Sequence, residues 1–166
     1  MGVGHQPYAG PMPAPSSSTD PVLDDLLCLA LHTAARSMTA RYRPALAALG
    51  LTYPQYLVMV LLWQEGSTSV SGIGSRLGLA SSTLSPLLTR LEGAGLVART
   101  RSRTDERSVV VSLMPRGHSL RAEAAHVPAQ ICDATGLDGL GQEDLGTRLR
   151  TLADRLDRAT AQAPSG

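Results

Sequence analysis

The sequence predicts a mainly α-helical protein with one small β-hairpin, and three observations support this fold class. Apolar residues recur at three- and four-residue spacing on both sides of the centre of the chain, which is the period of amphipathic helices. Glycines follow several of these segments, at positions where helices commonly end. One β-branched run, Val109-Val110-Val111, indicates a strand, and residues 96–101 are its predicted partner in a hairpin.

The N-terminal region is predicted to hold a tail and one interrupted helix. Residues 1–19 contain Pro, Gly, Ser and Ala without periodicity, which is typical of a disordered segment. Asp20-Pro21 matches a helix start with Pro at the first helical position. Pro44 should bend or break that helix near Arg43, because proline removes a backbone donor and clashes with the preceding turn. The segment then ends at Gly50.

Three further helices are predicted, one before the hairpin region and two after it. Thr52-Tyr53-Pro54-Gln55 matches a capping box and opens a helix that runs through Trp63. Residues 115–135 are predicted to form a long helix interrupted at Pro128, and residues 143–159 a last helix. The turn between these two is marked by Gly136, Gly139 and Gly141.

The centre of the chain follows the order helix, turn, helix, hairpin. A short helix is expected over residues 71–77, and Gly78 fits the left-handed residue that ends it. Ser81-Ser82-Thr83 offers N-cap side chains for the next helix, which Gly95 closes. The apolar face of that helix consists of Leu84, Leu87, Leu88 and Leu91. This order indicates a winged helix-turn-helix, assigned to residues 51–114, whose second helix enters a DNA groove.

The predicted DNA-reading face combines the second helix with the tip of the hairpin. Hydroxyl side chains and arginines can bond to base edges or phosphates, and a proline ring can contact a thymine methyl group. Asp105 and Arg107 are close enough in sequence for a side-chain pair that would aim Arg107 at the minor groove or its phosphates. The predicted DNA-binding residues are Ser82, Thr83, Ser85, Pro86, Arg90, Arg103 and Arg107, with Asp105 supporting the wing. The alternatives are a solvated helix face and a surface ion pair of little energetic weight.

The charge distribution favours the same segment. The net charge of the whole chain is only +1, which by itself says nothing about nucleic acid. Residues 66–116, however, contain seven arginines against three acidic residues, so this stretch carries a local charge of +4. A local basic patch is what a DNA footprint requires.

Helical segments flank the winged module on both sides and are predicted to form a dimerisation region, residues 20–50 and 115–160. A dimer would hold two recognition helices about 34–36 Å apart, so that they meet successive major grooves of a pseudo-palindromic operator. The alternative is that these are ordinary core helices of a monomer.

The cysteines are not explained by a structural disulfide. The chain lacks both a membrane-spanning apolar stretch and a signal-peptide pattern, so a cytoplasmic protein with no membrane partner and reduced or redox-active thiols is expected. Cys28 lies among leucines, which suits a small buried apolar residue. His32, one turn away, could favour its thiolate or belong to a metal site. One cysteine and one histidine do not complete such a site, so neither a metal nor a cofactor is predicted.

Taken together, these residues resemble the MarR family of winged-helix repressors over about residues 22–160. The wing and its exit, residues 105–113, carry the resemblance most clearly. The N-terminal half resembles more narrowly the OhrR branch of organic-hydroperoxide sensors. The segments that carry this narrower resemblance are Leu27-Cys28-Leu29-Ala30-Leu31, Tyr42-Arg43-Pro44 and Leu51-Thr52-Tyr53-Pro54-Gln55-Tyr56-Leu57.

The OhrR resemblance implies roles for three residues. Cys28 would be the peroxide-reactive thiol, and Tyr42 and Tyr53 would hydrogen-bond its thiolate and oxidised product. Fourteen residues separate Cys28 from Tyr42, which is roughly 21 Å along one straight helix. Contact between them therefore requires that Tyr42 come from the other subunit. The alternative for both tyrosines is interface packing with a satisfied hydroxyl group.

The resemblance also implies a role for Cys132, which matches in approximate position the second cysteine of the two-cysteine OhrR subclass. A sulfenic acid on Cys28 would condense with Cys132 of the partner chain. Two departures from the family stand out. His32 occupies a position where some relatives have Tyr, and Met114-Pro115 replaces the usual Thr cap before the dimerisation helix, whose start is therefore expected to differ.

The sequence thus predicts a homodimeric, non-enzymatic transcriptional repressor that binds double-stranded DNA and senses organic hydroperoxides. Oxidation of Cys28 and an inter-subunit disulfide with Cys132 would release the DNA. One alternative is a MarR-type repressor released by a non-covalent phenol or small acid. A second alternative, from another class, is a thiol peroxidase.

Overall fold

The computed structural model describes residues 22–102, 105 and 107–162, which form two compact units. The N-terminal unit, up to Arg36, contains a short 3₁₀ turn, Leu23–Asp25, and the beginning of helix α1, Leu27–Ala48. All other elements belong to the unit from Ser37 onward. The predicted tail, residues 1–19, lies outside the described residues.

Helix α1 differs from its prediction at its start and at Pro44. It begins at Leu27, six residues after Pro21, and it continues through Pro44 to Ala48 where a break was expected. Proline costs the helix one backbone hydrogen bond, but the turn that follows it packs on the core. Leu46 is fully buried, and Leu49 packs against the same core. This burial outweighs the lost bond.

Helix α2, Tyr53–Glu65, starts as the capping box predicts. The side chain of Gln55 accepts a hydrogen bond from the backbone N–H of Thr52 at 2.8 Å. Pro54 occupies the first turn, where a missing donor costs least. The helix runs through the centre of the core, and its buried residues are Tyr56, Val58, Met59, Leu61 and Leu62.

The helix-turn-helix consists of α3, Val70–Leu77, and α4, Ser81–Gly93. Gly78 ends α3 in the left-handed region at φ 63°, as predicted. The expected serine cap of α4 is wrong, since the N-cap is Ala80 and no side chain caps this end. Ala80 takes the extended conformation of an N-cap, and its carbonyl oxygen accepts from the N–H groups of Thr83 and Leu84. Ser82 and Thr83 are therefore inside the first turn.

The hairpin belongs to a three-stranded antiparallel sheet in the order β1-β3-β2. Strand β2 covers Val97–Arg101, and β3 covers Val109–Leu113. Strand β1, Thr68–Ser69, pairs with β3 and was not predicted. Two residues are too few to show a strand periodicity in the sequence.

The C-terminal part of the chain forms three helices. Helix α5 covers Pro115–Glu123, α6 covers Val127–Thr135 and α7 covers Gly139–Gln162. The break between α5 and α6 is a 3₁₀ turn, Ala124–His126, just before the predicted position at Pro128. The proline ring disfavours helical geometry in the turn that precedes it, so the break falls upstream of Pro128.

Helix α7 begins four residues before the predicted residue 143, so Gly139 and Gly141 belong to its first turn. The helix runs along its length without a single buried residue. Several of its leucines are exposed, namely Leu140, Leu145, Leu149 and Leu156.

The start of α5 is joined through Leu96 to the segment that follows helix α4. The carbonyl oxygen of Leu96 accepts from the backbone N–H of Met114 at 2.9 Å, and Gly117 is buried directly against it. The indole N–H of Trp63 donates to the carbonyl oxygen of Gly117 at 2.8 Å. Met114 is the N-cap of α5 but provides no side-chain cap. This joint, formed by Leu96, Met114, Gly117 and Trp63, fixes where α5 leaves the winged module.

The core of the unit from Ser37 onward contains apolar residues from helices α1 to α6 and from the sheet. Among the described helices, none is by itself both long and apolar enough to cross a membrane. Helices α1 and α2 pass that test only as a bent pair, on length and composition alone.

Candidate nucleic-acid interface and thiol site

Helix α4 has one apolar face and one polar face. Leu84, Leu87, Leu88 and Leu91 are buried against the core, as their spacing predicts. The side chains on the opposite face are all exposed: Ser82, Thr83, Ser85, Pro86 and Arg90. The hydroxyl and guanidinium groups of this face are therefore accessible enough to contact base edges in a DNA groove.

A cleft of about 390 Å³ separates α4 from the hairpin. Ser81 and Ser85 line it from the helix, and Arg99 and Arg107 line it from the hairpin side. Hydroxyl groups on one wall and guanidinium groups on the other are the donors that bind phosphate oxygens.

Arg99 joins strand β2 to helix α4, a contact that the sequence analysis missed. Its Nε and Nη2 atoms donate to Oε2 of Glu92 at 2.9 and 2.6 Å, and its backbone N–H donates to Oε1 at 3.2 Å. Nη2 also donates to the hydroxyl of Thr89 at 3.3 Å. The hydrogen bonds from the Arg99 side chain and backbone lower the pKa of Glu92. The seven-residue spacing across a turn gives no periodic signal that would have revealed this pair.

The tip of the wing is organised by Asp105. Its Oδ1 atom accepts from the backbone N–H of Arg107 at 3.0 Å, and its own N–H donates to the hydroxyl of Ser102 at 3.3 Å. The carboxylate thus stabilises the turn through the backbone of Arg107, whereas a pair between the two side chains was expected. The Arg107 side chain is exposed. Arg103 lies outside the described residues.

Cys28 lies in the N-terminal unit, near the start of α1, and is exposed in the single chain. The reading of Cys28 as a buried apolar residue is therefore wrong for this chain alone. His32, one turn further along, is also exposed. No group of three or more His, Cys, Asp or Glu residues suited to a metal ion occurs in the described part of the chain.

Tyr42 and Tyr53, the two tyrosines singled out by the sequence, are in contact, with ring centroids 4.9 Å apart. Tyr56, which the sequence analysis did not single out, extends this cluster at 5.8 Å from Tyr42. Burial, and then the neighbouring Tyr53, Tyr56 and Cys132, raise the pKa of Tyr42. The phenol of Tyr42 therefore remains protonated and can donate a hydrogen bond over the whole physiological pH range.

Cys132 shares a cavity of about 300 Å³ with Tyr42 and Tyr53. Its walls are mostly apolar and include Met38, Ile131 and Leu149. The Cys132 thiol is partly buried and donates to Oε1 of Gln142 at 2.8 Å. The structure thus brings together three residues that the sequence analysis had assigned to thiol chemistry: Tyr42, Tyr53 and Cys132.

Comparison with known proteins identifies the family. The model of the MarR family matches residues 51–109. The organic hydroperoxide resistance transcriptional regulator of Bacillus subtilis is 40% identical over 134 residues, which cover 81% of this chain and 91% of that protein. This chain belongs to the MarR family.

Solved structures of AbfR, a protein of Staphylococcus epidermidis, share the fold of this MarR-family chain. Reduced AbfR bound to DNA has a TM-score of 0.67 at 32% identity, over 81% of this chain and 92% of that one. Disulfide-formed AbfR has a TM-score of 0.55 at 33% identity, over 76% of this chain and 89% of that one. The mainly helical winged-helix fold predicted from the sequence is confirmed.

Family membership assigns the general function of the molecule. This MarR-family chain is a DNA-binding transcriptional regulator and not an enzyme, in keeping with the regulators it is similar to. Its similarity to a hydroperoxide resistance regulator is consistent with the OhrR branch. The exposed polar face of α4 and the cleft beside the wing are the surfaces suited to DNA.

Proposed function

We propose that this protein is a homodimeric repressor that senses organic hydroperoxides through Cys28. The observation that carries the proposal is the cavity in which Cys132 lies beside Tyr42 and Tyr53. A second thiol, two phenols and apolar walls suit the capture of an oxidised cysteine that arrives with its organic substrate. We also assign the protein to the cytoplasm, where DNA and a thiol-reducing environment occur together.

The first chemical step is the oxidation of Cys28. Its thiolate attacks the outer oxygen of the hydroperoxide, the O–O bond breaks, and an S–O bond forms. The leaving alkoxide takes up a proton and becomes an alcohol, and Cys28 becomes a sulfenic acid. The exposure of Cys28 supports this step, because the thiol is accessible to a small oxidant in the single chain.

The second step is disulfide formation with Cys132 of the partner subunit. The partner's Cys132 attacks the sulfur of the sulfenic acid, the S–O bond breaks, and the oxygen leaves as water. The fourteen-residue separation of Cys28 and Tyr42 supports a site shared between subunits, since helical rise alone separates them by roughly 21 Å. The existence of a disulfide-formed state of AbfR supports the same chemistry for this chain.

A dimer is supported by the apolar surface of α7. This helix of 24 residues has no buried residue, and its leucines Leu140, Leu145, Leu149 and Leu156 are exposed. A row of exposed leucines on a long helix marks an interaction surface in a chain of this size. A second copy of the chain covers such a surface on both subunits at once through two-fold symmetry.

Release of DNA follows from the geometry of two linked heads. Each head occupies one major groove, and the two grooves are about 34–36 Å apart. A disulfide that shifts the helices between the heads changes this spacing or the relative orientation. Since both heads must fit at once, a small rotation removes most of the specific affinity.

One observation favours a second candidate function, a repressor released by a non-covalent aromatic acid. A separate cavity of about 220 Å³ is lined by Tyr56, Trp63 and Arg121. Aromatic rings suit the face of a ligand, and a guanidinium group suits its carboxylate. In this case a Cys28→Ser variant would still respond to its ligand.

The deciding experiment compares purified, reduced wild type with Cys28→Ser and Cys132→Ser after addition of about one equivalent of cumene hydroperoxide. We expect a covalent dimer on a non-reducing denaturing gel for the wild type only, together with loss of operator binding. Oxidised Cys28 without a covalent dimer would refute the role of Cys132. An unmodified Cys28 by mass spectrometry, or DNA release by the Cys28→Ser variant, would refute the sensor proposal.

A further inference from the structure

Gln142 links Cys132 to the turn between α6 and α7. Its Oε1 atom accepts from the Cys132 thiol at 2.8 Å, and its Nε2 atom donates to the carbonyl oxygen of Leu137 at 3.1 Å. The hydroxyl of Thr135 lies 3.5 Å from Nε2 and donates to the carbonyl oxygen of Cys132 at 2.7 Å. The amide of Gln142 therefore bridges the sulfur and the backbone of the turn.

The turn fixes which end of the Gln142 amide faces the sulfur. A backbone carbonyl oxygen such as that of Leu137 can only accept a hydrogen bond, so the NH₂ group of the amide must point toward it. The oxygen of the amide then points toward Cys132. Turning the amide over would set two acceptors against each other at Leu137.

This orientation has a chemical consequence for Cys132. An amide oxygen accepts a hydrogen bond from a thiol but offers nothing to a thiolate, which has no proton to donate. The thiolate is nevertheless the form that attacks a sulfenic acid. The contact with Gln142 therefore belongs to the resting thiol and must open before Cys132 can react.

We propose that Gln142 is a positioning residue that holds Cys132 as a protonated thiol until an oxidised Cys28 reaches the cavity. This inference rests on the proposed function, in which Cys132 of the partner subunit resolves the sulfenic acid. Gln142 keeps Cys132 from being oxidised directly by the hydroperoxide, so that Cys28 reacts first. The proton that Cys132 loses during the attack leaves with the oxygen of the sulfenic acid in the water molecule formed.

Among the described residues that line the cavity, no charged side chain stands beside Cys132 to override Gln142. The titratable side chains that face the cavity are Tyr42 from α1 and Tyr53 from α2, and both are phenols. Among the described residues that line the cavity, from α1, α2, α6 and α7, there is no carboxylate, guanidinium or imidazole. The amide of Gln142 is thus the polar contact through which the protonation of Cys132 can be controlled.

The test measures the reactivity of Cys132 alone, in the Cys28→Ser background, where it is the one remaining cysteine. The second-order rate constant for alkylation of Cys132 by iodoacetamide is compared at neutral pH among three proteins. One keeps Gln142, and the other two carry Gln142→Met or Gln142→Glu. Loss of one hydrogen bond to the thiol should speed alkylation about two- to tenfold in Gln142→Met. Gln142→Glu keeps an acceptor and adds a negative charge, so alkylation should slow by a comparable factor.

The pH profile separates control of protonation from simple access to the sulfur. If Gln142 acts on protonation, the rates of the variants converge at alkaline pH below the ionisation of the tyrosines. The proposal would be overturned if the ratio of alkylation rates between variant and parent protein persisted at alkaline pH. It would also be overturned if Gln142→Met and Gln142→Glu changed the rate in the same direction. Gln130→Met is the matched control, since Gln130 is exposed on α6 outside the cavity, and should leave the rate unchanged.

The same variants distinguish failure of this inference from failure of the proposed function. Alkylation in the Cys28→Ser background needs neither peroxide nor a disulfide, so it reports only on Gln142 and Cys132. With Cys28 present, the Gln142→Met variant should show direct oxidation of Cys132 after treatment with the hydroperoxide. Mass spectrometry of the peptide that contains Cys132 detects this product. If the alkylation effects appear but the wild type forms no disulfide, the assignment of Gln142 stands and the resolving role of Cys132 fails.

Discussion

Replacement of Gly117 by alanine tests whether the joint at Leu96 holds helix α5 as tightly as the structure indicates. A Cβ atom at residue 117 would lie 2.1 Å from the carbonyl oxygen and 3.1 Å from the carbonyl carbon of Leu96. Contacts of a Cβ atom essentially never fall below 3.0 Å, so the two segments must separate by about 0.9 Å. The obstructing atoms belong to the backbone and cannot rotate away as a flexible side chain would.

The expected loss of stability follows from this overlap. Forcing one methyl group into a packed site costs about 1–3 kcal/mol. The separation also strains the hydrogen bonds from Met114 to Leu96 and from Trp63 to Gly117, at about 0.5–1.5 kcal/mol each. Alanine returns roughly 0.5–1 kcal/mol through its better helix propensity. The free energy of unfolding should fall by about 1–5 kcal/mol, a large part of the roughly 5–15 kcal/mol of an ordinary domain.

Urea unfolding followed by circular dichroism at one fixed protein concentration measures this change. Gly93→Ala is the matched control, because Gly93 lies in helix α4 and its added Cβ would have no atom within 4 Å apart from its chain neighbours and its own helix backbone. That variant should be as stable as the wild type or slightly more stable. If the Gly117→Ala variant unfolded with the same urea midpoint and the same dependence on urea concentration as the wild type, the close packing of Gly117 against Leu96 would be refuted.

Three further predictions concern the wing, the link between wing and helix, and the dimer. Arg107→Ala should weaken operator binding and lower the slope of log affinity against log salt by about 0.9 per subunit, or about 1.8 for the dimer, while the protein stays folded; an unchanged slope in fluorescence anisotropy would remove Arg107 from the phosphate contacts. Because Arg99 lowers the pKa of Glu92, the stabilisation from this pair is fully present above the ordinary value of 4.5 and disappears as pH falls through the lower folded value. Glu92→Gln should therefore unfold at a lower urea concentration than the wild type at pH 7, and the difference should shrink toward pH 4; a pH-independent difference would contradict this account. Leu156→Glu should shift the protein toward monomer in light scattering coupled to size-exclusion chromatography, whereas an unchanged mass would exclude this part of α7 from the interface.

Features governed by neighbouring residues were predictable from the sequence. The capping box at Thr52 and Gln55 and the left-handed Gly78 both depend on contacts within four residues, so their sequence patterns are informative. The alternation of leucines and hydroxyl residues in α4 likewise predicted which face is buried. The exposed polar face of α4 was therefore within reach of sequence analysis.

Features governed by distant packing were not predictable. Helix α1 continues past Pro44 because the burial of Leu46 stabilises the turn that follows. That burial depends on residues far away in the sequence, so the local pattern around Pro44 could not predict it. The pairing of Arg99 with Glu92 depends on how β2 folds back on α4, and no residue spacing encodes that path. The same holds for Gln142, whose contact with Cys132 arises only when the turn after α6 brings α7 beside it.

The link between Arg99 and Glu92 also has a consequence for how the proposed DNA contacts would fit one half-site of an operator. Because Arg99 of β2 makes four hydrogen bonds to α4, three to Glu92 and one to Thr89, we expect α4 and the wing to move as one body. The groove contact and the wing contact therefore cannot be adjusted separately. One additional base pair between the two contacts would displace the wing's target by about 3.4 Å along the DNA and turn it around the helix axis. If α4 and the wing contact DNA as proposed, the length of the half-site is therefore recognised together with its bases.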